Sequence, residues 1–193
     1  MSDKLIKWVR ERFPKRVIGS HNEAGMATIL IGRDGIVEVM EALRNDGETD
    51  MQMLIDITAV DFLEYSQQVR AATSPCDPDN GYGLSGAKMP RFEVVYHLLS
   101  LSKRHRLRVK VPLEESDLTM PTMCGVWRAA NWAEREVWDM YGVVFEEHPD
   151  LRRILMYEEF QGHPLRKDYH QRGYQPLISM PDLAHYKDHS TYR

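Results

Sequence analysis

Three runs, Met53 to Phe62, Arg91 to Leu101 and Arg106 to Val111, read as strands, and they restrict the fold more than any other feature. In the first, Met53, Ile55, Ile57 and Ala59 share one face while Asp56 and Thr58 take the other. In the last, Arg106, Arg108 and Lys110 alternate with Leu107, Val109 and Val111, which predicts one apolar face and one basic, solvated face. Upstream, an amphipathic helix is expected from Asp3 to Phe13, where Pro14 stops it. Short strands at Arg16 to Ser20 and Met26 to Ile31 flank Asn22-Glu-Ala-Gly25, and Asp34 is expected to cap a helix that runs to Arg44. The order α-β-β-α-β-β-β predicts an α+β fold: a two-layer domain with a largely antiparallel or mixed sheet covered by helices, plus an extended C-terminal arm. Residues 1–156 form the expected core domain, 65–90 a surface loop insertion rich in Gly, Pro, Ser and Asp, and 157–193 an extended partner-binding tail.

The densest mixture of charge, aromatics and helix punctuation lies in residues 131–153. Asn131 with Glu134 three residues on has capping-box spacing, and Gly142 supplies a permissive exit about three turns later. Ala133, Val137, Met140 and Tyr141 make the expected apolar stripe; Arg135 and Asp139 are spaced as an i, i+4 ion pair on the opposite, solvated side. His148-Pro149 rules out immediate helical continuation.

Glu134-Arg135-Glu136-Val137-Trp138-Asp139-Met140-Tyr141-Gly142-Val143, followed by Phe145, His148-Pro149, Leu151 and Arg153-Ile154-Leu155, resembles the signature of the thirty-kilodalton subunit of respiratory complex I, the C-subunit of proton-pumping NADH:quinone oxidoreductase. Two further blocks resemble the same family: Arg91 to Ser100 upstream and Gly162-His163-Pro164-Leu165-Arg166-Lys167-Asp168-Tyr169 downstream. The resemblance implies a non-catalytic structural and assembly subunit of the quinone module in the peripheral arm. Its partners would be the other peripheral-arm subunits, chiefly the large subunit that helps form the quinone cavity. FMN, iron–sulfur clusters and quinone would then reside on those partners, with no cofactor on this chain. The implied location is the cytoplasmic face of the bacterial inner membrane, with membrane association only through the complex. Under this reading Glu134, Arg135, Glu136 and Asp139 form an interfacial charge network, with Gly142 as the helix exit. His148, Pro149 and Arg153 fix the following turn, and Arg166, Lys167 and Asp168 continue the contact along the tail. An equivalent subunit of a related membrane-bound hydrogenase or formate-linked complex is the nearest alternative, and a stand-alone metal-dependent enzyme the rival class.

Composition agrees with a protein partner. The net charge of −4 gives no basic excess for nucleic acid or anionic lipid. No stretch approaches the roughly 20 apolar residues that span a bilayer, and the charged N-terminus reads as an amphipathic helix rather than a signal peptide. Cys76 and Cys124 stand alone, so a four-thiolate cluster cannot be assembled from this chain. Gly81 to Gly86 satisfies G-x-G-x-x-G, but Pro90 follows where a phosphate-binding helix would begin. His185 and His189 share i, i+4 spacing without a convincing third ligand, so they are expected to be surface or interface residues.

Overall fold

Leu5, Val9 and Phe13 recur at helical spacing and are buried, and the helix they line, α1 (Ser2–Arg12), packs on a hairpin made of β1 (Val17–Glu23) and β2 (Met26–Ile31). Gly25 takes φ 78° at the hairpin turn, a conformation that favours glycine. A 3-10 turn (Arg33–Gly35) leads into α2 (Ile36–Asn45), and β3 (Met53–Asp61), β4 (Phe92–Ser100) and β5 (His105–Leu113) follow. The last elements are β6 (Thr119–Pro121), α3 (Ala130–Tyr141) and β7 (Val144–Glu146). A computed structural model describes residues 2–23, 25–63, 90–171 and 175–176. The 65–90 insertion, apart from Pro90, lies outside the described residues, as do Cys76, the Gly81–Gly86 motif, His185 and His189.

The main sheet has five strands in the order β1-β2-β5-β4-β3. β2 and β5 run parallel and the other neighbours antiparallel, so the sheet is mixed and the fold is α+β. Ile29, Val109, Tyr96 and Ile57 stand in register across four strands, and all are buried. β6 and β7 form a small parallel pair on either side of α3 in sequence, and α3 packs on β3.

Four local expectations are corrected. In β3 the register jumps between Leu54 and Asp56, and the extra residue, Ile55, reverses the strand's parity. Leu54, Ile57, Ala59 and Asp61 therefore face inward, while Met53 and Ile55 are 45% and 43% exposed. Asp34 sits in the 3-10 turn rather than capping α2, whose N-cap is Gly35 with no side-chain bond. The polar face of β5 is not wholly solvated: β5 is a central strand, and its Lys110 is buried with Nζ 2.8 Å from Glu93 Oε1 on β4. The fourth correction, at the start of α3, bears on the site itself.

Candidate functional site

α3 begins two residues earlier than its polar signal suggests, at Ala130, with Ala129 rather than Asn131 as the N-cap and no side-chain bond from it. Glu134 is consequently not part of a capping box. It joins Ala130, Val137 and Met140 on the buried side of the helix, where it replaces an apolar residue in the stripe. Its carboxylate accepts the Met123 N–H at 2.6 Å, the Thr122 hydroxyl at 2.5 Å and the Cys124 thiol at 3.6 Å. Burial raises the Glu134 pKa above the ordinary carboxylate value, with these bonds opposing. Glu134 thus fastens the loop before the helix to the helix's inner face.

Cys124, Glu134 and His148 bring three potential ligand atoms within 4.8 Å of one another, the arrangement among the described residues best suited to a cation. The imidazole chemistry opposes that use. The Asp150 N–H donates to His148 Nδ1 at 3.0 Å, so the ring proton sits on Nε2, which donates to the Asn131 carbonyl at 3.0 Å. Nε2 is the nitrogen that faces Glu134, at 3.9 Å, and to ligate a cation it would have to lose that proton. The three side chains read better as a structural clasp that ties the 122–124 loop, α3 and the 148–150 turn together.

On the outward face the expected Arg135–Asp139 pair is replaced by two separate sets of contacts. Asp139 is fully buried, because residues 153–156 fold across that face. Its Oδ2 accepts three successive backbone N–H groups, of Ile154, Leu155 and Met156, at 2.9–3.0 Å, and Oδ1 takes Arg153 at 2.5 Å. Burial alone would raise its pKa, but the Met156 bond, Arg153 and the Leu155 and Ile154 bonds together hold it below the usual carboxylate value. Arg135 instead donates to the carbonyls of Arg152 and Arg153 at 3.1 and 3.0 Å. Arg153 gathers the segment further: its guanidinium donates to the Phe160 and Gly162 carbonyls and lies over the rings of Trp138 and Phe160.

The C-terminus of α3 is closed by this same segment. Gly142 adopts φ 79° and donates to the Trp138 carbonyl. The free carbonyls of Asp139, Met140 and Tyr141 then receive His163 Nδ1–H, the Leu165 N–H and Arg166 Nε–H. Beyond them, the Lys167 N–H reaches Asp61 Oδ2 at 2.9 Å, and Asp168 pairs with Arg91 at 2.8 Å. Asp61 and Arg91 form a bidentate pair at 3.0 and 2.8 Å, and they flank the 64–89 segment in sequence. Residues 157–171, expected to lean on a partner, therefore form a strap on this chain's own core. The deciding signal, backbone carbonyls left open at a helix end, is not carried by periodicity.

Of the signature residues, Glu134, Arg135, Asp139, Gly142, His148, Arg153 and Arg166 act within the chain, as do the Lys167 N–H and the Asp168 carboxylate. Glu136 and Pro149 are exposed. Asp61 and Thr122 belong to the site without standing out in the sequence, because each lies in a strand or loop far from the signature, and Arg91, which opens the upstream block, joins the site through its pairing with Asp61 and Asp168.

Residues 29–175 match the family described as the respiratory-chain NADH dehydrogenase 30 kDa subunit. The chain belongs to that family. The NADH-quinone oxidoreductase C-subunit of Geotalea uraniireducens is 37% identical to this 30 kDa-family chain over 186 residues, covering 96% of the chain and 94% of the relative. The Coxiella burnetii C-subunit is 36% identical over 191 residues, covering 94% and 81%. Among solved structures, a trypsin-resistant fragment of Nqo5 superposes with a TM-score of 0.59 at 28% identity, covering 78% of this chain and all of the fragment. A protein from an archaeal membrane-bound sulfane sulfur reductase gives 0.63 at 22% identity, covering 88% and 86%, a likeness of fold alone. Among the described residues of this 30 kDa-family subunit, no helix is long and apolar enough to cross a membrane.

Proposed function

We propose that this chain is a structural and assembly subunit of the quinone-reducing part of a proton-translocating NADH:quinone oxidoreductase, with no redox centre of its own. The observation that carries this reading is how the signature side chains are used. Asp139, Arg153 and Arg166 spend their hydrogen bonds on backbone groups and, for Asp139 and Arg153, on one another, and Glu134 spends its own on the Met123 N–H, the Thr122 hydroxyl and the Cys124 thiol, so these four side chains hold a shape. Electron transfer from NADH through FMN and iron–sulfur centres to quinone would take place on partner chains. The large quinone-cavity subunit is the principal neighbour in this reading, and the complex brings the chain to the cytoplasmic face of the inner membrane.

The test is to tag the chain in its native host, solubilise the membranes, identify the co-purifying proteins and measure NADH-to-quinone turnover of the preparation. Recovery with flavin- and iron–sulfur-bearing chains and turnover is expected. Recovery with hydrogenase-type subunits instead would assign the alternative complex. Recovery alone, with stoichiometric metal and activity in the isolated chain, would overturn the reading in favour of the metal-dependent enzyme.

A further inference from the structure

Far from the signature, α1 and two turns enclose a groove of about 490 Å³. Lys4, Leu5 and Trp8 line it from α1, Glu48 and Thr49 from the turn before β3, and Lys103 and His105 from the passage between β4 and β5. Its floor is apolar. Leu5 is buried, and Trp8 meets the Phe13 ring edge-on with the Arg12 guanidinium over its own ring. The two turns are tied to each other: His105 Nε2–H donates to the Thr49 carbonyl at 2.8 Å, and the Ser102 hydroxyl donates to the Asp50 carboxylate. Each turn also holds a non-glycine residue in the left-handed region, Asp50 at φ 46° and Arg104 at φ 53°. Strain of that kind persists only where the surroundings impose a shape, so the walls are set before anything binds.

The rim is basic. Lys4 and Lys103 are exposed on facing walls, and among the described residues neither is in an ion pair, nor is Arg104 between Lys103 and His105. Their cationic neighbours on α1 are committed, Lys7 to Glu11 at 3.7 Å and Arg12 to Asp46 at 3.1 Å. Glu48 is the one carboxylate that lines the groove. Within four residues of the seven lining positions the sequence places nine Lys and Arg against five Asp and Glu, in a chain whose net charge is −4. An apolar floor under unpaired ammonium groups calls for an apolar side chain flanked by carboxylates. A second copy would set these cations against themselves across a two-fold contact, and a planar bilayer surface would not reach Leu5 on the floor.

We infer that this groove docks an acidic segment of another subunit, which seats an apolar side chain on Trp8 and Leu5 and pairs Asp or Glu carboxylates with Lys4 and Lys103. Trp8 is the anchor, since tryptophan on a rigid element is among the most frequent interface hot spots. The inference rests on the subunit role proposed above and deepens it by naming a surface and the chemistry of its occupant.

The experiment solubilises the complex from its native host through a tag on the full chain. Carbodiimide, which joins lysine amines to carboxylates in contact with them, is applied to the complex, and N-hydroxysuccinimide acetate to the complex and the isolated chain. Cross-links from Lys4 and Lys103 to Asp or Glu of one segment in another subunit are expected, with acetylation of both lysines at least ten-fold slower in the complex. Lys4→Glu/Lys103→Glu should lower partner recovery at least ten-fold without changing the melting temperature of the isolated chain, and Lys4→Arg/Lys103→Arg should retain recovery. If the Glu pair lowers the melting temperature, acetylation and cross-linking decide, because they use the wild-type chain. Equal acetylation in complex and isolated chain, or wild-type recovery in a normally melting Glu pair, overturns the docking groove while leaving the subunit role intact. Failure of the wild type to recover any partner removes both. Three outcomes overturn the inference by naming a different occupant: protection of the lysines without a carboxylate cross-link, cross-links between two copies of this chain, or co-sedimentation of the isolated chain with phosphatidylglycerol vesicles that the Glu pair abolishes.

Discussion

Asp139 and Arg135 show how a residue's worth depends on what folds over it. At i, i+4 on an exposed helix face the two would contribute about 0.3–0.5 kcal/mol as a pair. In the structure they never pair. Arg135 holds two carbonyls of the 151–157 turn, so Arg135→Ala should destabilise the isolated chain by about 1.5–3 kcal/mol, the range for hydrogen bonds to a charged group. Urea unfolding measures this, and a loss below about 0.5 kcal/mol would return Arg135 to the solvated face. Gly142 gives a second residue-level test. An added Cβ would suffer the strain of φ 79° and meet His163 at 2.6 Å as well as the Arg166 guanidinium. Gly142→Ala should cost about 1–3 kcal/mol and also displace the strap, so the same unfolding measurement must be accompanied by faster exchange at the Leu165 amide.

Among elements, the strap is the one whose behaviour the amino-acid pattern hid. Residues 157–171 have no apolar period, and such a segment ordinarily cannot order itself. Here it borrows order from an element already fixed: three open carbonyls at the end of α3, the Asp61 carboxylate and the Arg153 guanidinium. The amides of Leu165, Lys167 and Tyr169 should accordingly be protected from hydrogen exchange in the isolated chain, before any partner binds. Arg153→Ala should remove that protection while leaving the β4 and β5 amides slow. Fast exchange across the strap in the wild-type chain, slowing only in the complex, would show that a partner supplies the order instead. Helices and strands, by contrast, were legible. The α-β-β-α-β-β-β order holds for the first seven helices and strands, because each has its own apolar period. The error in β3 came from one bulged residue, Ile55, which inverts alternation without altering composition.

For the whole molecule, the buried ionisable groups set a stability profile with two acid limbs. Burial lowers the pKa of His163 below 6.5, so its neutral form belongs to the native state. The stability it contributes is complete above the unfolded value and is lost as pH falls below about 6.5. Asp139 and Asp61 are held below 3.8, so the stability they contribute persists above that value and is lost only as pH falls further. Glu134, raised above 4.5, acts in the opposite sense, since protonation relieves a buried charge that costs the fold at neutral pH. Urea midpoints measured from pH 8 to 3 should decline first below about 6.5 and again below about 4; burial lowers His97 in the same way, so His163→Gln should reduce the first decline and leave the part that belongs to His97. A single transition below pH 4 in both proteins would show that His163 does not report on the strap. The amino-acid sequence by itself determined the α+β class, the order of the elements, the exit of α3 at Gly142 and the family, because local period, turn chemistry and a contiguous signature are properties of neighbours along the polypeptide. Only the tertiary structure decided that Glu134 points into the core, that Asp139 holds three N–H groups of the 153–156 turn, that Asp61 and Arg91 secure the strap, and that Trp132 remains in solvent. Each of those outcomes depends on which distant segment fills the space beside a side chain, and hydrogen-bond satisfaction settles that after the chain has folded.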